Sequence, residues 1–60
     1  MKLFIGQKFQ STLTREIETI SSLDLVCGEV WVDFGGPNID LFEISDFYEM
    51  IRDETLIEIL

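Results

Sequence analysis

The sequence has no histidine, one cysteine and one proline in 60 residues. Without histidine, acid–base catalysis would depend on paired carboxylates in environments that separate their pKa values. The acids here are spread along the chain, and no nucleophile is grouped with them. A single cysteine also excludes an internal disulfide and a zinc site built from cysteine and histidine. The composition therefore predicts a protein that is not an enzyme and that requires no cofactor or metal.

Basic residues are also scarce, and none occurs between Arg15 and Arg52. The formal charge is +3 for residues 1–15, −9 for residues 16–51 and −2 for residues 52–60, or −8 for the chain. Binding to nucleic acid depends on cations that contact phosphates, so direct binding to DNA or RNA is disfavoured. A cationic protein partner would explain the charge, and greater solubility is the alternative explanation.

Long apolar runs are missing as well, because the longest cover only three residues. We therefore expect neither a signal peptide nor a membrane span, and an anionic membrane surface would repel the chain. The lone Cys27 fits a reducing compartment, where we expect it to be a small buried or half-buried apolar residue. These features predict a soluble protein of the cytoplasm.

The chain is long enough for one domain, residues 1–60, whose core supplies only about 3–5 kcal/mol. Small domains of this kind usually add a disulfide, a metal or a second subunit. Since the first two are excluded, and 47% of the residues are hydrophobic, we expect a homodimer. The apolar segments 39–44 and 56–60 are the candidate interfaces.

Alternation of polar and apolar residues predicts strands at 8–11, 15–21 and 29–34. Ile20 interrupts the alternation, as a β-bulge would, and residues 21–24 are typical of a turn. Gly35-Gly36-Pro37-Asn38 predicts a second turn. The following strand, 39–44, is apolar on both sides, which indicates a central or interface position.

The C-terminal third predicts one short helix near residues 45–53. Ser45 is a candidate N-cap, and Asp46 lies in the first turn, where the helix dipole favours an anion. Phe47, Met50 and Ile51 form an apolar stripe at helical spacing. Residues 56–60 fit either a last strand or a helical extension, and we favour the strand. The predicted fold is α+β, a small antiparallel β-sheet of four or five strands with one short helix.

Two predicted strands carry acids on one face. Glu16 and Glu18 form one row, while Glu29, Trp31 and Asp33 share the face opposite the core. Residues i and i+2 lie about 6.7 Å apart along a strand, so such rows could imitate nucleic-acid phosphates in a basic groove. Trp31 would add an aromatic anchor. The alternative is an ordinary solvated face with the indole folded over a neighbouring strand.

The segment Ile44-Ser45-Asp46-Phe47, at the start of the predicted helix, resembles a phage family of small acidic uracil-DNA glycosylase inhibitors. These are β-rich dimers that imitate DNA and carry a Leu-Ser-Asp-Phe-like helix start. The resemblance implies that Phe47 helps to form an apolar pocket and that nearby acids, Asp46 and Glu49, engage the enzyme's DNA groove. The chain departs from the family motif at Tyr48, which stands where the family has glutamate.

The functional hypothesis is a non-enzymatic, phage-encoded inhibitor that imitates DNA in the host cytoplasm. Uracil-DNA glycosylase is the first candidate target, and a CRISPR or restriction effector is the second. The competing hypothesis is a small acidic assembly module that binds a basic protein without mimicry. The predicted partner-binding residues are Glu16, Glu18, Glu29, Trp31, Asp33, Asp46, Phe47 and Glu49.

Overall fold

A computed structural model describes all 60 residues and contains one antiparallel sheet and one helix. The elements in chain order are β1 (Lys8–Ser11), β2 (Ile17–Asp24), β3 (Glu29–Asp33), β4 (Ile39–Glu43), α1 (Ile44–Arg52) and β5 (Leu56–Ile59). The strand order β4-β3-β2-β1-β5 places β4 and β5 at the two edges of the sheet. The predicted α+β class, with a C-terminal strand, is confirmed.

The helix connects the two edge strands by crossing one side of the sheet, where it contacts β3, β4 and β5. We call this side the helix face. Its centre is the fully buried ring of Phe47, which packs edge-on against Phe9 at a centroid distance of 5.3 Å. The remaining buried apolar side chains are Leu3, Ile20, Val30, Val32 and Leu56. The opposite side, which we call the open face, has no helix over it.

The β2–β3 hairpin differs from the sequence prediction. Residues 21–24 belong to β2, which continues to Asp24, and the turn is formed by residues 25–28. A register shift between Ile20 and Ser22 absorbs the interrupted alternation, so the predicted bulge is confirmed. Gly28 has φ +72°, a conformation that glycine adopts without the Cβ penalty, and it completes the turn. The serines suggested a turn because they favour turns, but here the bulge accommodates them.

The structure corrects the predicted central position of residues 39–44 and the predicted N-cap. The other alternative for this strand, a position at a subunit interface, stays a prediction. This strand lies at the edge of the sheet, and its apolar residues are split between the two faces: Phe42 lies opposite buried Val30, and Leu41 lies opposite Trp31. The helix begins at Ile44, with Glu43 as the N-cap and no side-chain capping bond, so Ser45 is not the cap. The chain passes directly from strand to helix.

Candidate protein-binding surface

Three carboxylates form a row across the end of the open face. Asp24 of β2 lies opposite Glu29 of β3, and Glu29 lies opposite Glu43 of β4. We call this row the acidic ladder. Directly opposed residues have Cβ atoms about 4.5–5.5 Å apart, and like charges in such positions are destabilising. The fold therefore keeps an arrangement that opposes its own stability.

The hairpin turn holds the first carboxylate of the ladder in its charged form. Asp24 Oδ1 accepts hydrogen bonds from the backbone N–H groups of Val26 (3.1 Å) and Cys27 (3.0 Å). The bonds from Cys27 and Val26 lower the pKa of Asp24 below its ordinary value, because they favour the carboxylate over the acid. Asp24 is consequently ionised at neutral pH.

Apolar side chains lie immediately beside the ladder. Trp31 is half-buried between Ser22 on β2 and Leu41 on β4, and the Leu41 side chain is 51% exposed. Val30 and Val32, its neighbours along the strand, point to the opposite face and are fully buried. The predicted division of β3 is therefore confirmed. The indole packs partly against its neighbours and still presents part of its surface.

Asp33 is a second acid on the open face of β3, farther along the strand from Glu29. Asp33 is opposite Thr19 on one side and Ile39 on the other, about 13 Å from Glu29 at 3.3 Å per residue. Its Oδ1 accepts a hydrogen bond from the N–H of Gly35 at 2.7 Å. Lys8 shares this level of the open face, and its Nζ donates to the Thr19 hydroxyl at 3.0 Å. The open face thus carries only negative charge at the acidic ladder, and both signs of charge at the level of Asp33 and Lys8.

The predicted exposed row of Glu16 and Glu18 is wrong. Glu18 lies opposite the core residue Phe9, on the helix face, and only 7% of its surface is exposed. Burial raises the pKa of Glu18, and the negative charges of Glu16 and Asp40 raise it further. Glu16 itself is exposed just before β2 begins. Glu18 is therefore enclosed and cannot serve as a surface contact.

The pocket that the resemblance implied at Phe47 is also absent. The Phe47 ring is 0% exposed and contacts Phe9 and Phe42, whose ring centroids lie 5.3 and 6.1 Å away. It closes the core and cannot touch a partner in this conformation. Asp46 and Glu49 are exposed on the helix, which covers the side of the sheet opposite the acidic ladder.

Of the predicted partner-binding residues, the structure brings Glu29, Trp31 and Asp33 together on the open face. It adds Asp24, Leu41 and Glu43, which the sequence analysis missed. The available signal was the spacing of Asp24 and Glu29 on either side of the turn at residues 25–28. Assigning residues 21–24 to a turn concealed that symmetry.

Cys27 is exposed at the tip of this hairpin, contrary to the prediction that it is buried. Ligand atoms of Asp24, Cys27 and Glu29 lie within 4.8 Å of one another, close enough for a metal ion. Hydrogen bonding and charge from Asp24 raise the pKa of the Cys27 thiol above its ordinary value of 9.0, so the thiol is protonated at neutral pH. The turn's hydrogen bonds bring Cys27 beside Asp24, and strand pairing places Glu29 opposite Asp24.

Comparison with protein-family models, curated proteins and solved structures finds no match to this chain. Its one helix, of nine residues, falls short of the length and apolar content needed to cross a membrane.

Proposed function

We propose that the chain is a non-enzymatic inhibitor that imitates DNA and binds the basic groove of a DNA-processing enzyme in the cytoplasm. The observation that carries the proposal is the acidic ladder of Asp24, Glu29 and Glu43 on an uncovered sheet face, with Trp31 and Leu41 beside it. Uracil-DNA glycosylase is the first target to test, and CRISPR or restriction effectors follow.

Charge spacing supports mimicry. Neighbouring strands lie about 4.8 Å apart, so the ladder carries about one negative charge per 4.8 Å. A DNA strand carries one charge per about 3.4 Å of helix axis. A groove whose Lys and Arg side chains neutralise phosphates would therefore meet a comparable line of charge on a rigid support. Because the ladder is self-repulsive, a cationic partner gains attraction and also relieves an unfavourable interaction within the chain.

The apolar residues supply the second part of the proposed interface. Charges mainly accelerate association, whereas buried aromatic contacts slow dissociation. Trp31 and Leu41 lie next to the ladder, where the groove would have to cover them. The proposal therefore assigns long-range attraction to the ladder and residence time to Trp31.

Binding kinetics against purified uracil-DNA glycosylase test the proposal. Glu29→Lys should slow association about tenfold at low salt and flatten its salt dependence, while Trp31→Ala should accelerate dissociation about tenfold. Glu54→Lys is the matched control, because it makes the same change in charge at an exposed position in the α1–β5 connection. If Glu54→Lys slows association as much as Glu29→Lys, net charge and not the ladder is responsible.

The competing function is an assembly module that binds a basic protein without imitating DNA. Ile39 and Leu41, both half-exposed on the open face, favour it because they offer an apolar contact. Such binding should tolerate salt and should not compete with a DNA duplex for the target. A DNA mimic should instead bind more weakly as salt rises, and it should compete with a DNA duplex for the target.

A further inference from the structure

We propose that a second copy of this chain binds at β5, edge to edge and antiparallel, so that the two sheets join across a twofold axis. β5 (Leu56–Ile59) is one of the two outer strands. The unpaired N–H and C=O groups of an edge strand are a template for another strand. Proteins usually block an edge with lysine, proline, bulges, inward-pointing charges or a very short strand. The four residues of β5, Leu-Ile-Glu-Ile, include neither lysine nor proline. Their one charged side chain, Glu58, is on the helix face, where it accepts a hydrogen bond from Gln7.

The hydrogen bonds around β1 establish which backbone groups of β5 point outward. Thr12 N–H donates to the Thr55 carbonyl at 2.9 Å, whereas Ser11 N–H points the other way, to the Glu16 carbonyl at 3.0 Å. Backbone groups alternate along an antiparallel strand. Ile57 and Ile59 therefore direct theirs toward β1, and Leu56 and Glu58 direct theirs away from the sheet.

This alternation selects a register for the dimer. With Ile57 on the twofold axis, the outward groups of Leu56 face those of Glu58 in the second copy, and each such pair exchanges both N–H···O bonds. The two Ile57 side chains then meet in a non-hydrogen-bonded pair on the open face. The next register would place Glu58 opposite Glu58, and directly opposed like charges are unfavourable.

Exposed apolar side chains accompany this edge. Ile57 and Ile59 are 48% and 39% exposed on the open face, and Leu60 is fully exposed. A shallow groove bounded in part by Arg15, Ile57 and Ile59 runs beside the strand. Pairing of two copies would cover the isoleucines of both chains and extend the apolar surface across the axis.

The charge distribution favours β5 over β4 as the meeting place. Glu58 is the one acid in β5, and its Oε2 accepts a hydrogen bond from Gln7 Nε2 at 3.0 Å. Lys8 lies opposite Ile59, so a cation stands next to the strand. In contrast, β4 contains two acids, of which Glu43 belongs to the acidic ladder. In a chain of charge −8, two copies approach with the least repulsion at β5.

The size of the contact limits its strength. A standard interface takes about 800 Å² from each partner, which is nearly a fifth of the 4182 Å² surface of this chain. A four-residue strand and its flanking side chains cover less, so we expect dissociation in the micromolar range. The acidic ladder lies on β2, β3 and β4, so pairing at β5 leaves it free.

Sedimentation equilibrium tests the proposal. At high micromolar concentration, the wild type should sediment at twice the monomer mass of 7.0 kDa. Ile57→Lys should weaken the dimer about tenfold or more, because it opposes two ammonium groups on the axis. Leu41→Lys is the control, since Leu41 is a similarly exposed open-face residue on the other edge strand. A monomeric wild type, or dissociation by Leu41→Lys alone, would overturn the proposal.

Disulfide trapping tests the register independently of stability. Opposed residues of a non-hydrogen-bonded pair have Cα atoms about 4.5 Å apart, within the range that a disulfide accepts. In a Cys27→Ser background, Ile57→Cys should form a covalent dimer on mild oxidation, and Leu41→Cys should not. Equal trapping at both positions would mean random collision and would contradict the assigned edge.

Discussion

Replacement of Phe47 by alanine tests whether this residue is part of the core or part of a binding pocket. The Phe47 ring is 0% exposed, and it makes an edge-on contact with Phe9 and a tilted contact with Phe42. Removal of a buried phenylalanine ring costs about 3–5 kcal/mol. A core of this size supplies only about 3–5 kcal/mol in total. Phe47→Ala should therefore be largely unfolded at room temperature.

Circular dichroism with urea titration, at one fixed protein concentration, measures the effect. Phe4→Ala is the matched control, because the Phe4 side chain is 54% exposed and this residue forms its hydrogen bonds through its backbone. It should change the free energy of unfolding by no more than about 0.5 kcal/mol. Phe47→Leu keeps an apolar side chain and should remain folded, which allows its binding to be measured. A Phe47→Ala variant that melts within a few degrees of the wild type would refute the assignment of Phe47 to the core.

Three further changes have expected outcomes. Glu18→Gln should stabilise the protein at pH 7. The raised pKa of Glu18 means that the folded state binds the proton more tightly than the unfolded state, so stability is lost as pH rises above the ordinary value of 4.5. In melts measured across pH, the difference between the variant and the wild type should vanish in acid. Hydrogen bonds from Thr55 lower the pKa of Asp53, so this carboxylate contributes stability that is lost as pH falls below the ordinary value of 3.8 and through the folded pKa. Asp53→Asn should therefore destabilise the protein at pH 7 and have no effect in strong acid. Glu54→Gly should stabilise by about 1 kcal/mol in urea titrations, because Glu54 has φ +65° and a left-handed conformation costs a side-chain-bearing residue about that much.

Most of the fold could be predicted from the sequence because its patterns are local. The alternation around Trp31 located β3 and assigned its two faces, and the glycines at 35 and 36 located the turn before β4. The boundaries that were wrong depended on tertiary contacts. Ser45 fits an N-cap by type, but the helix begins at Ile44, directly after β4, and Glu43 is the N-cap residue.

The candidate surface was less predictable for the same reason. Glu29 and Asp33 were found because a single strand places them, whereas the ladder needs the registers of β2, β3 and β4 together. Glu18 alternates like a surface residue, yet it lies over the covered side of the sheet beside Phe9. Sequence alternation separates the two faces of a strand, but the position of the helix decides which face is enclosed.

Release by DNA is the most direct test of the central claim that the open face imitates nucleic acid. Immobilised wild-type chain would capture proteins from a bacterial lysate at low salt, and a short DNA duplex would then be used for elution before mass spectrometry. The account predicts that the duplex releases a DNA-processing enzyme and that a Glu29→Lys, Asp33→Lys double variant fails to capture it. Capture of the same proteins by both chains, with no release by DNA, would contradict the account.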